Sequence, residues 1–224
     1  MSVLIATPSR GMTTTSWAMM LRRMSLPANS ASMTVTGYRI DFQRNECVRA
    51  FLQTSLEWLL FLDDDVFAPP ETFDRLSSHG LDVVSGLYYR KGEPIEPLAY
   101  VDRGTHLAVP DDFAIGKLVP VDFGGAGCLL IHRRVLETMQ TPWFSLAAGD
   151  GITASREHTS EDFFFFGNAR KAGFKTFVDT GVRCLHVGLG AAELGGAFVP
   201  FSMPVPGLAF SCGEIEPWVK KTKR

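Results

Sequence analysis

A chain of 224 residues with 46% apolar and 21% charged side chains fits one substantial globular domain, or a domain with an appendage. Its formal net charge of −2 gives no electrostatic case for binding nucleic acid. No run approaches the roughly 20 apolar residues that a membrane-spanning helix requires, and the apolar segment Val3 to Ala6 is too short for a secretory signal. The four cysteines, Cys47, Cys128, Cys184 and Cys212, are far apart and match no metal-ligand spacing, so free thiols in a reducing compartment are expected. The expectation is a soluble, cytoplasmic protein. The basic tail Lys220-Lys221-Thr222-Lys223-Arg224 reads as a solvated terminus, with a peripheral contact to an anionic membrane surface as the alternative.

Val3-Leu4-Ile5-Ala6 predicts a buried first strand, and Thr7-Pro8-Ser9-Arg10-Gly11 a turn. Thr13 to Ser25 predicts a helix, because Trp17, Met20, Leu21 and Met24 recur at helical spacing on one face. Met33 to Ile40 reads as a strand interrupted by Gly37. Asp41 is placed to cap a helix reaching about Glu57, with Cys47, Val48, Phe51, Leu52 and Leu56 turned inward. Trp58-Leu59-Leu60-Phe61-Leu62 is a continuous apolar run, the mark of a strand buried on both faces. Pro69-Pro70-Glu71 opens a helix that ends near Gly80, and Asp82 to Leu87 forms a fourth strand.

From Tyr89 to Pro120 the chain is rich in Pro, Gly and charge, with short strands expected at Leu98 to Val101 and Lys117 to Val119. Cys128 to His132 reads as a strand, Arg133 to Met139 as a short helix, and Trp143 to His158 as loop. Thr159 or Ser160 caps a helix from Glu161 to Ala172, which Gly173 stops. Two strands follow, Phe174 to Val178 and Val182 to Val187, and the chain is irregular from Gly188 onward. Strand and helix alternate through the first 90 residues, which argues for a parallel, doubly wound half.

The chemistry concentrates at a few positions. Asp63-Asp64-Asp65 follows the third strand directly, and in open α/β sheets ligands bind beyond the carboxyl ends of such strands. Three adjacent carboxylates repel one another, so a hard divalent cation with a phosphate-bearing ligand is a natural partner. A solvated acidic turn before the next helix is the plain alternative. His186 ends a predicted strand and could ligate the same cation through a neutral ring nitrogen, or serve as a structural histidine. Glu161 and Asp162 occupy the first turn of a helix, where its dipole favours anions, and Phe163 to Phe166 would anchor that turn rigidly. A carboxylate on that platform is a candidate general base, although helix capping alone would also explain it. Arg10, in the first turn, and Arg44, near a helix start, could meet a diphosphate.

In this order the pieces resemble the GT-A glycosyltransferases, particularly the large family 2 type, over roughly residues 2 to 190. The matching segments are Leu4 to Ser9, Gln43-Arg44-Asn45, Leu59 to Val66, Gly125-Ala126-Gly127 with Arg133-Arg134, Pro142-Trp143-Phe144, Ser160 to Phe163, and His186-Val187-Gly188. The resemblance implies an α/β, Rossmann-like three-layer sandwich with a mixed, mainly parallel central sheet. It implies a nucleotide-binding half over about 1–90, an acceptor and catalytic half over about 91–190, and an irregular extension over 191–224 that could act as a lid. Transfer of a sugar from a nucleotide-diphosphate sugar, with a UDP-sugar favoured, to a hydroxyl of a carbohydrate or other acceptor would follow.

Residue by residue, the resemblance places Thr7, Pro8, Ser9, Arg10, Arg44, Asn45, Asp63 and Asp64 around the donor. Asp63 and Asp65 correspond to the two acids of an Asp-x-Asp motif, and Asp63, Asp65 and His186 become the candidate ligands of Mn²⁺ or Mg²⁺. Asp162, with Glu161 as the second choice, corresponds to the catalytic base. Gly125, Gly127 and Trp143 fall to the acceptor. Two other readings of the sequence remain open: a sugar nucleotidyltransferase, and a non-catalytic nucleotide- or carbohydrate-binding module of the same fold.

Overall fold

The computed structural model describes residues 1–91, 95–146 and 160–187. The C-terminal extension, its lid reading and most of the predicted acceptor loop lie outside the described residues. Among those described, no helix is long and apolar enough to cross a membrane.

In chain order the elements are β1 Ser2–Ser9, α1 Thr15–Arg22, β2 Asn29–Thr36, α2 Ile40–Leu52, β3 Trp58–Leu62, β4 Val66–Phe67, α3 Thr72–Ser78 and β5 Val83–Leu87. There follow β6 Ala99–Asp102, β7 Leu107–Ala108, β8 Leu118–Val121, β9 Phe123–Gly124, β10 Cys128–His132, α4 Arg133–Thr138, α5 Glu161–Lys171, β11 Thr176–Arg183 and β12 Leu185–His186. Seven strands form the central sheet in the order β2-β1-β3-β10-β5-β11-β8. All run in one direction except β10 and β8, which are antiparallel to their neighbours. The mixed, mainly parallel sheet is the architecture that the resemblance implied.

Both faces of this sheet are covered. Along β3, Leu59 and Phe61 face one core with α2, α4 and α5, while Leu60 and Leu62 face the other with α1 and α3. The period of two along a strand makes this division. The fully apolar run follows from it, since neither face of β3 can carry a polar residue. Each such buried Leu or Phe stabilises the fold by about 1.5–3 kcal/mol relative to an exposed one.

Several boundaries differ from the sequence reading, for identifiable reasons. Thr7-Pro8-Ser9 is the end of β1 rather than a turn, paired in parallel with Thr34, Val35 and Thr36. Past Ala6, β1 has no partner on its β3 side, so the missing N–H of Pro8 interrupts no central ladder. The second strand lies earlier than expected and ends before Gly37, whose φ of 87 closes the edge. Helix α2 stops at Leu52 rather than near Glu57. There the Thr54 hydroxyl donates to the Phe51 carbonyl at 2.7 Å, and Arg133 donates to the carbonyls of Phe51, Thr54 and Leu56. These donors satisfy carbonyls that a continuing helix would have used. The strands predicted at 174–178 and 182–187 are instead one strand, β11, with a register shift between Asp179 and Arg183, followed by the short β12.

Candidate active site

The carboxyl ends of β1 and β3, the start of α5 and strand β12 surround one cleft of about 520 Å³. Pro8, Ser9, Arg10, Arg44, Asp63, Asp64, Asp65, Glu161, Asp162 and His186 all line it, bringing together residues from 8 to 186. Thr7 lines an adjoining hollow of about 360 Å³ with Trp17 and Asp64.

At the cleft's base lies Arg44, only 2% exposed, with its guanidinium packed near the rings of Phe61 and Phe144. Its two terminal nitrogens donate to the two carboxylate oxygens of Asp63, both at 2.9 Å. Its Nε lies 3.4 Å from Glu161 and 3.6 Å from Asp162. One buried cation therefore serves three carboxylates. Removing any charge from water is costly, and a planar guanidinium with two parallel bonds is the side chain best suited to repay that cost. Burial raises the carboxyl of Asp63 above its ordinary value even though Arg44 opposes the shift. Arg44 thus organises the acids of the site from within rather than standing free to receive a phosphate.

Each aspartate of the triplet has a different partner. Asp64 accepts from the Ser9 hydroxyl at 2.6 Å and from the Arg10 backbone N–H at 3.1 Å, tying the end of β1 to the end of β3. Asp65 accepts from Lys91 Nζ at 2.5 Å through one oxygen, and its other oxygen lies 3.6 Å from His186 Nε2. Burial works against the Asp65 charge, but His186 and Lys91 outweigh it and hold the carboxyl at about 2. His186 is fixed by pairing of β12 with β4, by an edge-on contact with Tyr88, and by Nδ1 lying 2.9 Å from the Tyr89 carbonyl. A carbonyl only accepts, so Nδ1 carries the proton in this bond, and loss of the proton on Nε2 would present that nitrogen as a lone pair.

Asp162 differs from its neighbours. Ser160 caps α5 by accepting from the Phe163 amide at 3.3 Å, and Phe164, Phe165 and Phe166 lock the first turn into the core. That platform holds Asp162 with its Oδ1 buried and without a hydrogen-bond partner among the described residues. Burial chiefly, with Glu161's charge added and Arg44 opposing, pushes its carboxyl up to about 8. A carboxylate with one buried oxygen left without a hydrogen bond costs stability and calls for an explanation.

Four residues expected at the donor or acceptor are engaged elsewhere. Asn45 donates to the carbonyls of Asp41 and Phe144, both at 2.7 Å, and accepts from the amides of Trp143 and Phe144. Trp143 is buried in the core and donates to the Leu136 carbonyl at 2.8 Å. Gly125 and Gly127 pack against Tyr88, whose hydroxyl accepts from the Gly127 amide at 2.7 Å. A Cβ on Gly125 would sit 2.2 Å from that hydroxyl, so the glycine is needed for close approach.

Sequence reasoning passed over Tyr88, Gln43 and Lys91, all of which line the cleft. Tyr88 directly follows β5, so the rule that ligands sit at carboxyl ends of strands would have found it. Lys91 carried no such signal.

One acid and one histidine could contact a cation together. Among the described residues no three His, Cys, Asp or Glu side chains form a ready-made metal cluster. Asp63 is committed to Arg44, which leaves Asp65 Oδ1 and His186 Nε2 facing each other too far apart for a hydrogen bond. Two such donors fit a hard or borderline divalent ion whose other positions would be left to water and a phosphate-bearing ligand.

No family model and no curated protein matches the chain in sequence. Solved structures do match. The A197 protein from STIV superposes with a TM-score of 0.64 at 21% identity, covering 84% of this chain and 86% of that one. GalNAc-T7, solved with UDP, GalNAc and Mn²⁺, gives 0.58 at 10% identity over 84% of this chain. The chain has a GT-A glycosyltransferase-like fold. Residues 1–349 of S. aureus TarS, in complex with UDP-GlcNAc, give 0.53 at 13% identity over 89% of this chain. The match spans 44% of the GalNAc-T7 chain and 62% of the TarS chain. At these identities the likeness is one of fold, and the GT-A frame sets the cleft at the carboxyl ends of its parallel strands.

Proposed function

We propose that the protein is a divalent-cation-dependent glycosyltransferase that moves a sugar from a nucleotide-diphosphate sugar to a hydroxyl acceptor. A UDP-sugar is the favoured donor, because GalNAc-T7 was solved with UDP and Mn²⁺ and TarS with UDP-GlcNAc. The observation that carries the reading is the meeting, in one cleft, of the Asp65–His186 couple with Asp162, whose Oδ1 is buried without a hydrogen-bond partner among the described residues.

Mn²⁺ or Mg²⁺, held by Asp65 and His186, would supply positive charge to the departing diphosphate. Ser9, Arg10 and Asp64 form the donor-side wall. Asp162 accepts the proton of the acceptor hydroxyl as that oxygen attacks the anomeric carbon and the sugar–phosphate bond breaks. A carboxylate with a value of about 8 matches this task near neutral pH better than an ordinary one near 4. Arg44 keeps Asp162 next to Glu161 and Asp63 without neutralising it, because its two terminal nitrogens are spent on Asp63.

The direct test is release of UDP from a panel of UDP-sugars with Mn²⁺ and simple sugar acceptors. Turnover that drops by about 10²–10⁴-fold in Asp162→Asn, with UDP binding retained, is the expected result. Full activity in Asp162→Asn would remove the base. Release of pyrophosphate from a nucleoside triphosphate and a sugar 1-phosphate would replace the reading with nucleotidyl transfer.

A further inference from the structure

Lys91 sits where the proposed cation would be needed. Its Nζ lies 2.5 Å from Asp65 Oδ2, while Asp65 Oδ1 faces His186 Nε2 at 3.6 Å. An ammonium already neutralises the carboxylate that the divalent ion would use. We propose that Lys91 is a tethered placeholder cation: a divalent ion displaces it from Asp65, and the freed ammonium then pairs with the diphosphate of the donor.

The inference rests on the donor-site reading above, and three observations support it. Charge comes first. Among the described residues, Asp63, Asp64, Asp65, Glu161 and Asp162 line the cleft beside three lysine or arginine side chains, Arg10, Arg44 and Lys91. The carboxylates outnumber these side chains, and the Lys91 ammonium supplies a counter-charge at Asp65. A divalent ion seated on the same carboxylate would crowd two positive centres within a few ångströms, where like charges repel strongly. One of them has to leave.

Mobility comes second. The Lys91 side chain is about a third exposed, and its charge rides on a flexible four-carbon stem with rotatable donors. Arg44, by contrast, is fixed on three sides and cannot exchange. The third observation is position. Lys91 lines the cleft itself and lies two residues beyond Tyr89, whose carbonyl orients His186. A displaced ammonium thus stays beside the space a diphosphate would fill, and a compact cation there is a natural phosphate partner.

The test compares full-length protein with Lys91→Met and Lys91→Gln in two binding measurements that involve no turnover. Mn²⁺ affinity is read from the free-ion EPR signal without nucleotide, and UDP affinity from calorimetry at saturating Mn²⁺. Both neutral variants should bind Mn²⁺ about three- to tenfold more tightly than wild type, since a partly exposed ion pair no longer competes. Both should bind UDP more weakly by a similar factor. This opposition of sign is not expected of a merely structural ion pair. Unchanged Mn²⁺ affinity in both variants would overturn the placeholder role, and unchanged UDP affinity would overturn the handover to phosphate. Failure of wild type and both variants alike to bind Mn²⁺ would overturn the metal reading and this inference with it.

Discussion

Two arginine–carboxylate clusters in this protein are built from the same kinds of side chain and reach opposite electrostatic states. Around Asp179, on β11, Arg75 donates through Nε at 2.7 Å and a terminal nitrogen at 2.9 Å. His79 Nε2 lies 2.8 Å away, and the Gly181 amide donates at 2.8 Å. Burial works against this charge, yet the Arg75 and His79 contacts hold the Asp179 carboxyl below its ordinary value. Around Arg44 the ratio is reversed, with one guanidinium facing three acids and the Asp162 Oδ1 left with a 3.6 Å ion pair to Arg44 but no hydrogen bond among the described residues. A cluster whose carboxylate is fully served is built for stability. A cluster that keeps a carboxylate short of partners gives up stability, and a catalytic base is the reason offered here.

Breaking each cluster should separate these roles. Asp162→Asn should lower transfer by about 10²–10⁴-fold while leaving the protein at least as stable at pH 8, as measured by thermal melting beside the activity assay. Asp179→Ala should do the reverse. It strips a buried carboxylate from Arg75 and His79 and should cost about 3 kcal/mol in urea unfolding. Cleft residues would then keep their nucleotide affinity in the folded fraction. Equal stability losses in the two variants would dissolve the contrast.

The clusters also predict opposite slopes with pH. An unfolded aspartate titrates near about 3.9. Folded Asp162 titrates at about 8, so between roughly pH 4 and 8 the folded state holds a proton the unfolded state lacks. Stability therefore falls as pH rises through that window. Asp179 is lowered instead; its contribution is present above about pH 4 and is lost as pH falls through its folded value. Denaturation curves across this range should show the decline toward pH 8 flatten in Asp162→Asn. In Asp179→Asn the acid-side loss should shrink. A smaller effect is expected at the cleft wall. Gly125→Ala drives a methyl into the Tyr88 hydroxyl and should cost about 1–3 kcal/mol, with weaker UDP binding as Tyr88 shifts against His186.

The difference between the clusters also marks what the sequence could reveal. Strand β3 is legible to the residue because its apolar run is continuous, and the Ser160 cap is legible because a hydroxyl before two acids is a local signal. The candidate acids were named for the same reason: each stands at the end of a strand or the start of a helix. What remained hidden is the pairing. Arg44 meets Glu161 from 117 residues away, and Asn45 meets Phe144 from 99 residues away. No local pattern distinguishes an arginine bound for the protein interior from one bound for a phosphate. Trp143 was ambiguous for a related reason, since a core indole and a sugar platform share one composition. Tyr88 was within reach of the strand-end rule, whereas Lys91 depends on the fold of a Pro- and Gly-rich stretch with no period to read.

The most direct test of the central claim, that Asp65 and His186 hold the cation that recruits the donor, is a thermal-shift titration with UDP, with and without Mn²⁺. Wild-type protein should be stabilised by UDP only when Mn²⁺ is present, by roughly 2.7 kcal/mol at about 100 times the dissociation constant. Asp65→Ala and His186→Ala should each lose that shift while Asp179→Asn keeps it. A UDP shift that ignores Mn²⁺, or that survives both cleft substitutions, would contradict the account.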